Sequence, residues 1–100
     1  MKQITLFVLK YCGYCRRALQ LIDSVKADHA DLEPVPIHII DEGEQRELAR
    51  KFDYYFVPTF YIESVKIHEG PVDYNQVLAI LRQAQEAQDD PANGTRSGQG

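Results

Sequence analysis

A chain of 100 residues has room for one domain with a real core and none for a second. With 44% hydrophobic and 26% charged residues it has the composition of an ordinary globular protein, and a net charge of −4 argues against nucleic acid as a partner. No apolar run approaches the ~18–20 residues of a membrane span, so a membrane partner is not expected either. The start, Met1-Lys2-Gln3, runs into a short apolar stretch followed by Lys10 and two cysteines, which is not the pattern of a signal peptide. The expected compartment is therefore the cytoplasm, where a lone cysteine pair is catalytic or metal-binding more often than structural.

Ile4 to Leu9 is short and rich in β-formers, which predicts a strand buried on both faces. The chain's only two cysteines follow, as Cys12-Gly13-Tyr14-Cys15. From Cys15 the pattern changes: Ala18, Ile22, Val25 and His29 share one helical face with Leu21 beside them, while Arg16, Arg17, Asp23 and Lys26 occupy the other. This predicts an amphipathic helix ending near Asp31, with Pro34 and Pro36 barring its continuation. Val35 to Ile40 reads as a second strand. Strand, helix and strand in about forty residues imply a right-handed crossover and parallel pairing. Asp41 to Asp53 reads as a second helix, with Leu48, Ala49 and Phe52 as its apolar stripe and Glu44, Arg46, Glu47, Arg50 and Lys51 as its wet side. Thr59–Ile62 and Val65–His68, joined at Glu63-Ser64, predict an antiparallel hairpin that Gly70-Pro71 ends. Asp73 and Gln76 have the spacing of a capping box for a last helix, whose buried face is Tyr74, Val77, Leu78, Leu81 and Ala84. After about Gln88 the apolar residues stop. The domain thus spans 1–87, and 88–100 is expected to be a disordered tail.

The cysteine spacing lets the two sulfurs meet across one helical turn, and the strand-to-helix context is that of a thiol–disulfide redox motif. Cys12 falls at the helix N-terminus, where free N–H groups and the positive end of the macrodipole favour a negative sulfur; Lys10, Arg16 and Arg17 add charge nearby. The expectation is an exposed, nucleophilic Cys12 with a lowered pKa and a shielded Cys15 with a higher one. Cys12 then forms a mixed disulfide that Cys15 resolves. Three other readings stand beside it. The pair is half of a zinc site, although His29, His38 and His68 are scattered without ligand-like spacing; or it is inert and buried; or it serves a redox-responsive adaptor without turnover.

Cys12-Gly13-Tyr14-Cys15, then Val57-Pro58-Thr59 before a hairpin, then Gly70 before a last helix, together resemble the thioredoxin fold, nearest the small glutaredoxins and glutaredoxin-like redoxins. The resemblance covers about residues 2–86. It implies an α/β fold in the order βαβ-α-ββα, a central four-stranded mixed sheet flanked by three helices. It also implies a cis Pro58 against the cysteine pair, with the backbone of Val57 pairing with a substrate strand and Thr59 beside it. Tyr11, Gly13 and Tyr14 would border the substrate. Lys10 would take the glycine carboxylate of glutathione, and the segment from Gly70 to Asp73 its γ-glutamyl end. The chain departs from the family patterns at Leu6 (a buried acid in thioredoxins), Tyr11 (a tryptophan), Gly13 (a proline in glutaredoxins) and Phe56 (a threonine). Gly70-Pro71-Val72-Asp73 stands for the usual glycine pair and acidic pair.

The activity implied is that of a monomeric dithiol–disulfide oxidoreductase acting on disulfide-containing proteins or glutathione-mixed disulfides. It needs no bound cofactor and draws electrons from glutathione or a thioredoxin reductase-type flavoprotein. The alternative, which Gly13 permits, is an iron–sulfur or metal-binding carrier that holds a [2Fe–2S] cluster with glutathione at a dimer interface through the same cysteines. Tyr54-Tyr55-Phe56 is expected to pack between the second helix and the sheet; the competing expectation is an exposed rim shared with Tyr11 and Tyr14.

Overall fold

The computed structural model describes residues 1–87 of the chain; the expected tail, 88–100, lies outside the described residues. The first strand, β1 (Ile4–Val8), is buried at every position, because neighbouring strands flank it on both sides and helices cover both faces. Leu9, included in the predicted strand, lies beyond it and is 39% exposed. β2 (Ile37–Asp41) pairs with β1 in parallel, with Ile4 opposite Ile37 and Val8 opposite Asp41. β3 (Thr59–Ile62) runs antiparallel on the other side of β1, with Phe7 opposite Thr59, and β4 (Val65–Glu69) completes the hairpin. The strand order is β2-β1-β3-β4, a mixed four-stranded sheet as expected.

Alternation along β1 divides the core. Ile4, Leu6 and Val8 join Phe60, Ile62 and the apolar faces of two helices, α1 (Gly13–Asp28) and α3 (Tyr74–Glu86). Phe7 points to the opposite face and packs with Ile40, Ala49 and Tyr61, covered by Phe52 and Tyr54. Its ring stacks on Tyr54 at 4.7 Å and meets the edge of Tyr61 at 5.7 Å. The predicted capping box at the head of α3 is present: the Asp73 carboxylate accepts from the Gln76 amide (2.8 Å) and the Gln76 side chain accepts from the Asp73 amide (2.9 Å).

Other boundaries also differ from the sequence reading. α1 ends at Asp28, and a 3₁₀ turn (Ala30–Leu32) follows; His29, expected on the buried face, is the cap between them. Pro34 sits in a further turn closed by the Val35 amide donating to the Leu32 carbonyl (3.1 Å), Pro36 follows before the strand, and the Lys26 ammonium holds this segment by donating to the carbonyls of Glu33 (2.9 Å) and Val35 (2.8 Å). Val35 is buried but precedes the strand. The largest correction concerns the second helix: α2 is a single turn, Arg46–Ala49, instead of Asp41 to Asp53. Asp41 belongs to β2, and its carboxylate accepts the amides of Gly43 (2.8 Å) and Glu44 (3.3 Å), a local turn that competes with helix. At the other end the Tyr61 hydroxyl donates to the Asp53 carbonyl (2.6 Å) and accepts from the Asp53 amide (3.1 Å), so the chain leaves helical geometry there.

Candidate active site

The pairing register gathers the site at one end of the sheet. Val8 at the end of β1 lies opposite Asp41 at the end of β2; Phe7 lies opposite Thr59 at the start of β3; Thr59 lies opposite Glu69 at the end of β4. The cysteine segment therefore leaves the sheet beside the entry of Val57-Pro58-Thr59. Leu9 and Tyr11 complete the passage from strand to helix. The Cys12 amide donates to the Leu9 carbonyl (3.1 Å), and Tyr11 takes up a left-handed conformation with φ of 69°. A non-glycine residue there costs about 1–2 kcal/mol, and Tyr11 bears it with its side chain 89% exposed.

Cys12 is the N-cap of α1. Its backbone is extended (φ −90°, ψ 117°), and its Sγ accepts a hydrogen bond from the Cys15 amide at 3.2 Å. Both thiols are free; Cys12 is half-buried and Cys15 is buried at 2% exposure. Burial pushes the Cys15 thiol up to about 12, with its hydrogen bond to Cys12 and the nearby Cys12 and Glu42 charges adding to the effect, and a backbone contact at Leu9 opposing it. Cys15 is shielded as expected, while Cys12, expected to be exposed, is half-buried, so the asymmetry between the two has the predicted sense. Lys10, Tyr11, Cys12, Cys15, Arg16 and Asp41 line a cavity of about 240 Å³ at the thiols. A larger cavity of about 510 Å³ lies between α1 and β2, and its lining contains no cysteine.

The Val57–Pro58 peptide bond is cis, as the resemblance implied. Pro58 is buried, and its carbonyl accepts from the Gly70 amide at 2.8 Å. Gly70 has φ of +103°, a conformation that side chains rarely adopt, which accounts for glycine at this position. Among the described residues, nothing pairs with the N–H or C=O of Val57, so both groups are free to meet a ligand. Thr59 is fully buried, and its hydroxyl donates to the Phe56 carbonyl.

The aromatic run divides. Tyr54 packs on Phe7 as expected, and its hydroxyl donates to Glu42 (2.7 Å). Tyr55 and Phe56 depart from the packing expectation: they are 85% and 69% exposed, alongside Tyr11 and a 64% exposed Tyr14. The proposed glutathione contacts have local partners. Lys10 forms an exposed ion pair with Glu44 at 3.3 Å, a weak contact that a carboxylate ligand can displace, while Asp73 caps α3. Gly13 has no heavy atom within 4 Å of where a Cβ would stand, so the site is open beside Cys12.

Among the described residues there is no group of three or more His, Cys, Asp or Glu side chains able to hold a metal ion. A [2Fe–2S] cluster takes about four cysteine ligands, and this chain supplies two, one of them buried, so the donors present do not by themselves form that site. No helix among the described residues is long and apolar enough to cross a membrane.

One residue at the site was absent from the sequence reading. The Glu69 carboxylate accepts the amides of Tyr55 and Phe56, the latter at 2.8 Å, and pairs with Lys66 at 2.8 Å. These three donors hold the carboxyl near 2, the hydrogen bond from Lys66 contributing most and the amides of Tyr55 and Phe56 next. A glutamate thirteen and fourteen residues from the amides it accepts leaves no local signal; only the pairing of β4 with β3 brings it there.

Comparison with solved structures places this architecture among thioredoxin-fold proteins. A thioredoxin-like protein of Clostridium perfringens is 22% identical and aligns over 84% of this chain and 71% of its own with a TM-score of 0.62. A thioredoxin of Malassezia sympodialis is 21% identical over 83% and 74%, with a TM-score of 0.63. A mutant thioredoxin of Halobacterium salinarum is 19% identical over 87% and 77%, also at 0.63. At these identities the likeness is one of fold. No curated protein sequence matches the chain. The family model described as Glutaredoxin matches residues 4–67, which include both cysteines and the cis proline. With that match spanning well over half its length, this chain belongs to the glutaredoxin family, as a thioredoxin-fold protein with a Cys-x-x-Cys pair at the head of its first helix.

Proposed function

We propose that the protein is a dithiol–disulfide oxidoreductase that reduces protein disulfides or glutathione-mixed disulfides, acting in the cytoplasm as a monomer. The observation that carries this reading is the pairing of a half-buried Cys12 sulfur, capped by the Cys15 amide at 3.2 Å, with a Cys15 thiol that burial keeps protonated. Attack requires a thiolate, and the N-cap gives the Cys12 sulfur the Cys15 amide as a donor and the positive end of a helix dipole.

The Cys12 thiolate attacks one sulfur of the substrate disulfide; that S–S bond breaks, and the departing thiolate takes up a proton. Cys15 then gives up its proton and attacks the Cys12 Sγ. The mixed disulfide breaks, the second substrate thiol leaves, and a Cys12–Cys15 disulfide remains. Two electrons pass from the protein to the substrate. Two glutathione molecules, or a thioredoxin reductase-type flavoprotein, return them. The free N–H and C=O of Val57 beside Pro58 would pair with an extended substrate segment. Tyr11, Tyr14 and Gly13 would border it, and Lys10 with the Gly70–Asp73 segment would contact glutathione.

A coupled glutathione and glutathione reductase assay on a small mixed disulfide tests the reading. Turnover by the wild type, lost in Cys12→Ser, is the expected result, with Cys15→Ser accumulating mixed disulfides. A wild type whose cysteines cycle with dithiothreitol but which shows no turnover with either donor would refute it.

A further inference from the structure

The loop that delivers Val57 to the site has no helix or strand between Lys51 and Pro58. Phe52 and Tyr54 anchor its first half on Phe7, whereas Tyr55 and Phe56, next to Val57, point into solvent and do not hold it. The backbone of the stretch next to Val57 is held by partners that can be named. The Thr59 hydroxyl donates to the Phe56 carbonyl, and the Gly70 amide donates to the Pro58 carbonyl. The two successive amides of Tyr55 and Phe56 both donate to a single oxygen, Oε2 of Glu69. The other oxygen, Oε1, takes the Lys66 ammonium at 2.8 Å, which fixes the rotamer that lets Oε2 reach the loop. Hydrogen bonds to an ionised acceptor are about twice as strong as neutral ones. The carboxylate is rooted on β4 directly opposite Thr59, so the sheet itself carries the clamp. With the carbonyl of Phe56 and the amides of Tyr55 and Phe56 engaged, the N–H and C=O of Val57 are left without a partner among the described residues.

We propose that Glu69 is a positioning residue for extended polypeptide substrates: by clamping the amides of Tyr55 and Phe56 it holds the Val57 backbone in the direction a substrate strand must meet. The inference rests on the oxidoreductase reading and narrows it. A clamp on the pairing backbone serves a disulfide carried by a peptide; it does nothing for a small disulfide that reaches Cys12 without pairing. Glu69 does not touch the sulfurs and takes no part in the exchange.

The test compares a peptide disulfide in extended sequence with the small disulfide 5,5′-dithiobis(2-nitrobenzoate), using wild type, Glu69→Ala and Glu69→Gln. In Glu69→Ala the loop must be ordered at the moment of binding, so KM for the peptide rises about tenfold while kcat stays within about twofold. The rate with the small disulfide is unchanged. Glu69→Gln keeps an oxygen for the amides but loses the charge, so its peptide KM rises about threefold; it carries the test if the alanine variant does not fold. A loss shared equally by both substrates, or no change of peptide KM in either variant, would overturn the positioning role. A wild type that reduces neither disulfide would instead bring down the oxidoreductase reading, and this inference with it.

Discussion

The two thiols should differ in reactivity by orders of magnitude, and the difference can be worked from the structure. Replacing Cys12 with serine leaves Cys15 as the only thiol in the chain. Cys15 is 2% exposed, and its thiol is pushed from 9.0 to about 12. Near pH 7.5 that lowers its thiolate fraction from about 3 in 100 to about 3 in 100,000. Alkylation runs through the thiolate, so Cys15 should react about a thousandfold more slowly than an ordinary thiol. Burial is the largest cause and survives the substitution; the contributions of Cys12 itself do not. The expected slowing in Cys12→Ser is therefore about a hundredfold or more, and it should vanish when urea unfolds the chain. In Cys15→Ser, the half-buried Cys12 should react no more slowly than a free thiol. Iodoacetamide labelling followed by mass spectrometry reads both variants directly. If folded Cys12→Ser were labelled within tenfold of its unfolded rate, Cys15 would not be the protected, resolving partner, and the division of labour between the cysteines would fail. The linkage to stability has the same origin. Because the folded thiol is raised above 9.0, its contribution is complete below pH 9.0 and is lost as pH rises toward about 12.

Four further outcomes follow from single contacts. The Glu69 carboxyl is depressed from 4.5 to about 2, so its clamp is intact above pH 4.5 and is lost as pH falls through about 2; the Tyr55 and Phe56 amide resonances should titrate near 2, and a midpoint near 4.5 would contradict the contact. Gly13 is the first residue of α1, with open space at its Cβ position, no partner for its N–H among the described residues, and an extended residue before it; Gly13→Pro should stabilise the fold by roughly 0.4–1 kcal/mol in urea denaturation. Asp73→Ala removes the carboxylate of the α3 capping box and should cost about 1 kcal/mol by the same measurement, with thiol labelling unchanged. Phe7→Ala empties the centre of the aromatic cluster on the α2 face, where the ring is fully buried, and should cost about 3–5 kcal/mol.

The features legible in the chain alone were those written in neighbouring residues and left uncontested by tertiary contacts. The apolar run of β1, the 3.6-residue periodicity of α1 and α3, the hairpin at Glu63-Ser64 and the Asp73–Gln76 box are local signals, and each forms where it was read apart from the C-terminal ends of β1 and α1. The cysteine pair was legible for the same reason: two residues of spacing at a strand-to-helix junction make the N-cap geometry a property of the segment alone. The cis bond at Pro58 was legible only through resemblance, since nothing within the tetrapeptide Phe56-Val57-Pro58-Thr59 demands it.

Tertiary structure decided the rest. The helical pattern from Asp41 to Asp53 yielded to β1 pairing at one end and to the Tyr61 hydroxyl at the other, leaving a single turn. The sheet's two faces sorted Tyr54 inward and left Tyr55 and Phe56 in solvent, a division that no aromatic count reveals. Glu69 became part of the site because strand pairing carries β4 alongside β3, bringing a carboxylate to amides thirteen and fourteen residues away. Periodicity and capping are energies within a few residues of chain, whereas burial and long-range hydrogen bonds exist only after the sheet has chosen its register.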